Sequence, residues 1–304
     1  AVGTTLVATP VEAISHRGWD NFFVVAAVLL VLVPMQEQVV GLPHLGVALA
    51  VGLAFGGLAY TTNALDKQGA ATGGLFAASL VGLGGWPWIV PGIVFFGLSS
   101  ALTGLGRGER DESPRRTQAQ VLANGGIAWG ALAVAAVAPA GMSDVVTWGY
   151  VAFVGALAAA AADTWATELG RWSPWPPWSL RDGRRVPTGT SGAVSLIGTG
   201  AAVLGAASVE GAALMEEGRL AGSITERVTL LVGAGVVGMM ADSVAGAFLQ
   251  AQYRGDSSGS LVESPPSEDA ATDRGWAGIG NNAVNLIGTT VGALAALGGV
   301  LLLG

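Results

Sequence analysis

Long apolar runs alternate along the chain with short polar segments. A helix needs roughly 20 apolar residues to cross about 30 Å of hydrocarbon, and several runs approach that length. The pattern predicts transmembrane helices at 19–34, 44–62, 70–84, 88–104, 119–139, 144–163, 190–209, 228–250 and 278–303. The sequence therefore predicts an all-α, polytopic integral membrane protein of about nine transmembrane helices, folded as a single transmembrane domain over residues 1–304.

The third and fourth runs leave the number of spans open. Run 70–84 is short and rich in glycine, and the sequence Gly85-Trp86-Pro87-Trp88 separates it from the fourth run. The two runs form either a hairpin of two helices or a single broken span.

The basic residues indicate an orientation. For nine helices with the N-terminus inside, the inner segments contain 12 of the 14 Lys and Arg residues, and the outer segments contain only Arg219 and Arg227. Cytoplasmic loops carry the excess of positive charge. The distribution predicts a multi-pass protein of the cell membrane with a cytoplasmic N-terminus. One inner segment, 251–277, is rich in Ser, Pro and acidic residues and is expected to be a flexible loop.

The composition argues against several classes of function. Hydrophobic residues make up 51% of the chain and charged residues 12%, with a mean hydropathy of +0.57, in agreement with a membrane protein. The absence of cysteine excludes disulfides, thiolate metal sites and Fe–S clusters. Only two histidines are present, which disfavours a histidine-based metal or catalytic site. The net charge of −7 argues against nucleic acid as a partner.

Two related pairs of strings recur in the apolar runs. Ala-Asp-Thr at 162–164 is followed by Ala-Val-Ser-Leu-Ile-Gly-Thr at 193–199, and Ala-Asp-Ser at 241–243 is followed by Ala-Val-Asn-Leu-Ile-Gly-Thr at 283–289. The recurrence predicts a parallel internal repeat, in which the sixth and seventh helices correspond to the eighth and ninth. An ionisable residue in a membrane helix is costly unless it serves a site.

The two repeated acids are therefore candidate functional residues. Asp163 is predicted at the inner end of its helix, and Asp242 about 12 Å inside the end at Gln250. Glu168 lies about 140° around the helix from Asp163, so the two could bind one ion only if the helix ends between them. A second interpretation stays open, in which both aspartates are packing groups satisfied by Ser, Thr and Asn neighbours.

Candidate anion-binding groups lie nearby. Gly189-Thr190-Ser191-Gly192 is predicted to open the seventh helix, where backbone and hydroxyl donors stabilise a phosphate. Arg184-Arg185 precede it, and guanidinium groups match phosphate oxygens. An ordinary helix cap explains the same string. Lys67, the single lysine, is either a phosphate-directed charge or a positive-inside anchor.

Several amides begin membrane helices. Asn281, Asn282 and Asn285 start the ninth helix, and Asn124 lies near the start of the fifth. Three amides in five residues exceed what one cap requires, which favours a site-lining role, whereas capping explains Asn124 equally well.

The strings at 162–170, 189–195, 242–250 and 281–285, taken together, resemble one family of integral membrane proteins. This family includes the plant phytyl-phosphate kinase and an uncharacterised animal transmembrane protein. The resemblance implies transfer of a phosphoryl group from a nucleoside triphosphate, with CTP the expected donor, to an isoprenyl monophosphate of the phytyl or geranylgeranyl type.

The resemblance also assigns roles to the candidate residues. Asp163, Glu168 and Asp242 are expected to be catalytic and to hold Mg²⁺. The phosphate and nucleotide contacts are expected from Thr190, Ser191, Gly192, Arg185, Lys67, Asn124, Asn281, Asn282 and Asn285. The prenyl tail is expected to lie between helices, in contact with lipid.

Two other functions remain compatible with the sequence. A secondary transporter also uses repeated helices with polar breaks. A lipid cytidylyltransferase uses the same metal and nucleotide but releases pyrophosphate.

Overall fold

A computed structural model describes residues 26–29, 42–106, 115–214, 223–255, 261–267 and 270–303. Residues 26–29 are helical, and the remaining ranges contain eight further helices. These are α1 (Leu42–Thr61), α2 (Lys67–Ser79), α3 (Trp86–Gly106), α4 (Gln118–Ala136), α5 (Ser143–Gly170), α6 (Leu196–Ala213), α7 (Ile224–Phe248) and α8 (Asn281–Leu303). All except α2 are long and apolar enough to cross a membrane.

The all-α polytopic architecture predicted from the sequence is confirmed. Seven of the predicted runs coincide with the seven membrane-length helices of the described chain. The first run, 19–34, lies outside the described residues except for 26–29. The third run forms the 13-residue α2 and a π-helical turn, Leu80–Gly84. Gly85, at a φ of 77°, then turns the chain into α3, so α2 and α3 are separate helices.

Short polar residues determine where the helices begin. Thr117 and Ser223 form capping boxes with Gln120 and Glu226 at the starts of α4 and α7. Ser195 caps α6 by accepting a hydrogen bond from the Gly198 N–H at 3.0 Å. The cap moves the start of this helix from the predicted position 190 to Leu196, because Ser195 is extended and residues 193–194 form a strand.

Helix α5 is the centre of the bundle. It packs against α3, α4, α6, α7 and α8. Its middle is a run of buried alanines from Ala156 to Ala162, interrupted only by Leu157. Small side chains allow several helix backbones to approach α5 at once, so this helix is shielded from lipid by its neighbours.

Glycines make the closest crossings. A Cβ atom on Gly292 of α8 would lie 2.5 Å from the Ala159 Cβ and 2.7 Å from the Gly155 carbonyl oxygen of α5. A Cβ on Gly238 of α7 would also lie 2.5 Å from the Ala159 Cβ. Helices α5, α7 and α8 therefore meet at one point that accepts no larger residue.

The predicted parallel repeat is visible in the order of the elements. Strands β1 (Trp178–Ser179) and β2 (Ala193–Val194) form an antiparallel pair between α5 and α6. Strands β3 (Tyr253–Arg254) and β4 (Leu261–Val262) form a second pair between α7 and α8. Each half is thus helix, hairpin, helix, and α5 and α7 end on the side where α6 and α8 begin.

Part of the segment 251–277, which was expected to be a flexible loop, is paired through its backbone. In its described part, this segment contains β3, β4 and a bridge between Gln252 and Arg274. The Ala251 N–H also donates to the Ile279 carbonyl at 2.8 Å. Backbone pairing with its own flanks orders these residues although their composition is polar.

We predict that Gly292→Ala destabilises the protein. The added methyl overpacks the crossing, at an expected cost of about 2 kcal/mol. Thermal unfolding in detergent, followed by tryptophan fluorescence, should show a clear fall in Tm. Gly298→Ala is the matched control on the same helix, because no heavy atom lies within 4 Å of its added Cβ. Equal Tm values for the two variants would contradict the assigned crossing.

We also predict that an ion pair joins the loop of the first hairpin to the segment between β4 and α8, and that it does not change between neutral pH and about pH 5. Arg274 Nη1 donates to Asp182 Oδ2 at 3.1 Å, and Ser179 Oγ donates to the same oxygen at 3.2 Å. The bond from Arg274, assisted by Ser179, lowers the pKa of Asp182 below its ordinary 3.8. The ion pair is therefore complete above this ordinary value and is lost only as the pH falls through the lowered pKa.

Asp182→Asn should accelerate amide hydrogen exchange in both of these segments, by the same factor relative to the unaltered protein near neutral pH and at about pH 5. Asp144→Asn, at an exposed acid in the first turn of α5, is the control and should leave this exchange unchanged. Unchanged exchange of both segments in Asp182→Asn would show that the pair does not hold them.

Candidate functional site

A polar cavity of about 490 Å³ lies where α5 and α7 end and α6 and α8 begin. Helix α4, the loop between β1 and β2, and Gln250 and Glu263 on either side of the second hairpin complete its wall. Nine residues predicted from the sequence line it: Asn124, Asp163, Glu168, Thr190, Ser191, Gly192, Asp242, Asn281 and Asn285. Residues far apart in the chain are thus collected in one place.

Three predicted residues lie outside this lining. Lys67 is exposed at the first residue of α2. Arg185 donates to the Pro176 carbonyl and lies 5.6 Å from the centre of the Trp178 ring. Asn282 is exposed beside Asn281, about 100° further around α8.

The two repeated aspartates lie at similar distances from the ends of their helices. Helix α5 continues to Gly170, so Asp163 is seven residues, about 10 Å, from the helix end rather than at it. Asp242 is six residues, about 9 Å, before Phe248. The sequence prediction was wrong about Asp163 because Thr164 fits inside a helix, where its hydroxyl donates to the Ala160 carbonyl at 2.8 Å.

The side chains of Asp163 and Asp242 contact each other at hydrogen-bonding distance. Two carboxylates in contact repel unless a proton or a cation lies between them. The neighbouring Gly288 allows α8 to close over the pair, since a Cβ at this position would lie 2.9 Å from the Asp242 Cβ. The arrangement is chemically suited to bind a cation.

Amides extend this pair towards α4. The side chain of Asn285 lies 3.1 Å from the Asn124 amide oxygen. With its amide oriented to satisfy its neighbours, Asn285 donates to Asp242 Oδ2 at 3.1 Å. Asn124 is therefore a cavity residue, and the helix cap of α4 is Thr117.

Glu168 does not join the aspartates. No helix end separates it from Asp163, so the two point in different directions around α5. Its Oε2 lies 3.3 Å from Arg171 Nη1 in an ion pair. Within the described ranges, no three Asp, Glu or His side chains are grouped closely enough to hold a metal. The three-acid metal site expected from the sequence is thus reduced to the pair Asp163 and Asp242.

The loop Gly189–Gly192 lies over the end of α7. Gly189 and Gly192 have φ angles of 88° and 70°, and a Cβ on Gly192 would collide with the Ala247 backbone. Ser191 Oγ donates to Gln250 Oε1 at 2.7 Å. This segment is a tight loop before β2, not the first turn of α6 as the sequence suggested, because both glycines are in the left-handed region.

The loop nevertheless presents donors to the cavity. The Thr190 N–H is bonded to the Pro187 carbonyl, whereas the Ser191 and Gly192 N–H groups donate to no backbone carbonyl of the described chain. The N-terminus of α6, at Ser195 and Gly198, also lines the cavity. Free N–H groups and a helix N-terminus together favour an anion.

The sequence interpretation missed Glu263, which follows β4 and lines the cavity near Asp242 and Gln250. Partial burial raises the pKa of its carboxyl above the ordinary 4.5, and Gln250 opposes this shift. Glu263 falls in the segment that was expected to be flexible. The available signal was the apolar pair Leu261-Val262 just before it.

Arg116 was also missed. Its Nη2 donates to Thr103 Oγ1 at 2.8 Å, and its side chain lines the cavity beside Gln120. In the sequence it is one of four arginines in a polar segment, and only its position next to the cap of α4 distinguishes it.

Comparisons with known proteins agree with the membrane architecture. Residues 50–293 match the family described as integral membrane protein DUF92, a range that includes the whole cavity lining. An uncharacterised membrane protein of Methanocaldococcus jannaschii is 28% identical over 149 residues, which are 48% of this chain and 60% of that relative. No solved structure matches the chain. The chain belongs to the integral membrane protein DUF92 family.

Proposed function

We propose that the protein is a membrane kinase that transfers a phosphoryl group from a nucleoside triphosphate, CTP in the first instance, to an isoprenyl monophosphate. The contact between Asp163 and Asp242, beside a loop with free N–H groups, is the observation that carries this proposal. Phosphoryl transfer requires little besides positioning and charge neutralisation, and these residue types supply both.

The carboxylate pair fits Mg²⁺. This ion is usually bound through one or two carboxylates together with substrate phosphates and waters, so Glu168 is not required. Asp163 and Asp242 would hold it, with Asn285 fixing the Asp242 carboxylate. When bound, Mg²⁺ neutralises charge on the phosphate oxygens.

The remaining residues position the phosphates. Ser191 and Gly192 N–H groups and the N-terminus of α6 would receive the triphosphate, and Arg116 the acceptor phosphate. An oxygen of the acceptor forms the new bond to the γ-phosphorus as the β–γ bridging bond breaks, which leaves the nucleoside diphosphate. The acceptor oxygen is already anionic, so no general base is needed, and no histidine belongs to the described lining.

The position of the cavity favours an enzyme over a carrier. Most of its polar residues lie near the ends of α5 and α7 and the starts of α6 and α8, on one side of the bundle, and the two aspartates lie about 10 Å further in. Carriers that work by alternating access place their sites near the midplane. Arg116, Arg171 and Arg274 lie on the cavity side, and by the positive-inside rule this side faces the cytoplasm.

One assay tests the reaction. Purified protein is incubated with Mg²⁺, γ-labelled CTP and geranylgeranyl or phytyl monophosphate. Label in the prenyl diphosphate is the expected result. Label in pyrophosphate would indicate a cytidylyltransferase, and no turnover with any prenyl phosphate and nucleotide would overturn both enzymatic functions.

We predict that Asp242→Asn and Asp163→Asn each lower kcat/KM by about 100-fold or more, the scale of losing one charge-stabilising group. The amide keeps the shape of the side chain, and at position 242 it can still contact Asn285, so folded yield should be retained. Glu168→Gln is the control within the same cavity and should lose far less activity, because it is paired with Arg171. Full activity in Asp242→Asn would make the pair a packing contact.

A further inference from the structure

A second cavity, of about 130 Å³, lies between α1, α2, α3 and α4. Its wall is almost entirely apolar and includes four phenylalanines: Phe55, Phe76, Phe95 and Phe96. Three residues, Arg116, Gln120 and Asn124, line both this apolar cavity and the polar cavity. The two cavities are therefore neighbours that share one polar wall.

The apolar cavity opens sideways. Val51 and Ile93 lie on its rim and are 41% and 58% exposed on membrane-length helices, where the surrounding medium is lipid. Val51 lies ten residues, about 15 Å, before the end of α1 at Thr61. The chain after α1 joins the Arg116 segment, since the Asp66 N–H donates to the Arg116 carbonyl at 3.0 Å. The opening is thus deep in the bilayer, and the shared polar wall lies at its surface.

Glycines keep this cavity open. A Cβ on Gly73 would lie 3.2 Å from Phe55 Cε1, and a Cβ on Gly125 would lie 3.0 Å from Phe76 Cε1. The edges of both rings therefore approach glycine backbone more closely than a larger residue would allow. Similarly, a Cβ on Gly92 would lie 2.7 Å from Leu80 Cδ1.

We propose that the apolar cavity is the binding groove for the hydrocarbon chain of an amphiphilic phosphate whose head group occupies the polar cavity. The occupant must have an apolar chain and an anionic head, because the walls are hydrocarbon and the junction carries the Arg116 guanidinium. It enters from the lipid through the opening between Val51 and Ile93. This inference deepens and rests on the proposed phosphoryl transfer.

The groove makes the protein selective for chain length. Each methylene that packs against the apolar wall gains van der Waals contacts. A chain that is too short to reach Phe55 and Phe96 does not make the contacts with these rings. Arg116, in contrast, contacts the head group and acts on substrates of every length. Substitutions in the groove and at Arg116 are therefore expected to change KM differently for short and long substrates.

Ala77→Phe and Val121→Phe are the tests, because each places a ring in the groove. Kinetics are measured with alkyl or prenyl monophosphates of 5 and 20 carbons. Each variant should raise KM for the 20-carbon substrate by about tenfold and change it little for the 5-carbon substrate, whose short chain makes few contacts in the groove. Val134→Phe, on the exposed face of α4 away from the groove, is the matched control and should change neither.

Equal losses for both chain lengths, or no loss for the longer one, would overturn the groove assignment. Arg116→Gln should raise KM for both lengths alike. Binding of a fluorescent 20-carbon alkyl monophosphate to the purified protein separates this inference from the proposed reaction. If Ala77→Phe weakens this binding and no turnover is observed, the groove is supported and the kinase is refuted. If turnover is observed and Ala77→Phe does not change it, the kinase is supported and the groove is refuted.

Discussion

The rest of the site depends on one contact, between two carboxyl groups inside a membrane helix bundle. Asp163 and Asp242 can touch only if α5 and α7 approach closely, and this approach exists because Gly238 and the alanines of α5 present almost no side chain. The contact is unfavourable by itself, since two desolvated carboxylates repel each other when both are ionised. A fold that maintains it needs a cation or proton there, which makes the pair more informative about function than any other polar group in the bundle.

The hairpins convert this helix contact into a cavity. Each follows the helix that carries an aspartate, and each returns the chain to the start of the next helix. The first hairpin loop provides N–H groups over the end of α7, and the second provides Glu263. The ion pair between Asp182 and Arg274 connects the first hairpin to the segment that follows the second. Both halves of the chain therefore contribute to this side of the cavity.

Helix positions followed from apolar run length, because burial in lipid imposes this length directly, and the parallel repeat followed from the recurring strings. Helix ends did not. Polar residues such as Thr164 and Glu168 break the apolar run but continue the helix, so the run ended seven residues too early and Asp163 was placed at the wrong depth. Glu263 and Arg116 were missed for a different reason, because their roles arise from contacts between segments far apart in the chain, which composition does not record.

The repeat is closely matched at the aspartates and diverges at its second string. Ser195 and Asn285 occupy equivalent places, yet Ser195 caps α6, whereas Asn285 lies inside α8, which starts four residues earlier, and binds Asp242. In the proposed reaction, a cation between the two aspartates would contact both halves alike, whereas the phosphoryl donor and acceptor are different molecules and need different contacts. The divergence between Ser195 and Asn285 makes the two halves of the cavity chemically different, as the proposed reaction between two different substrates would require.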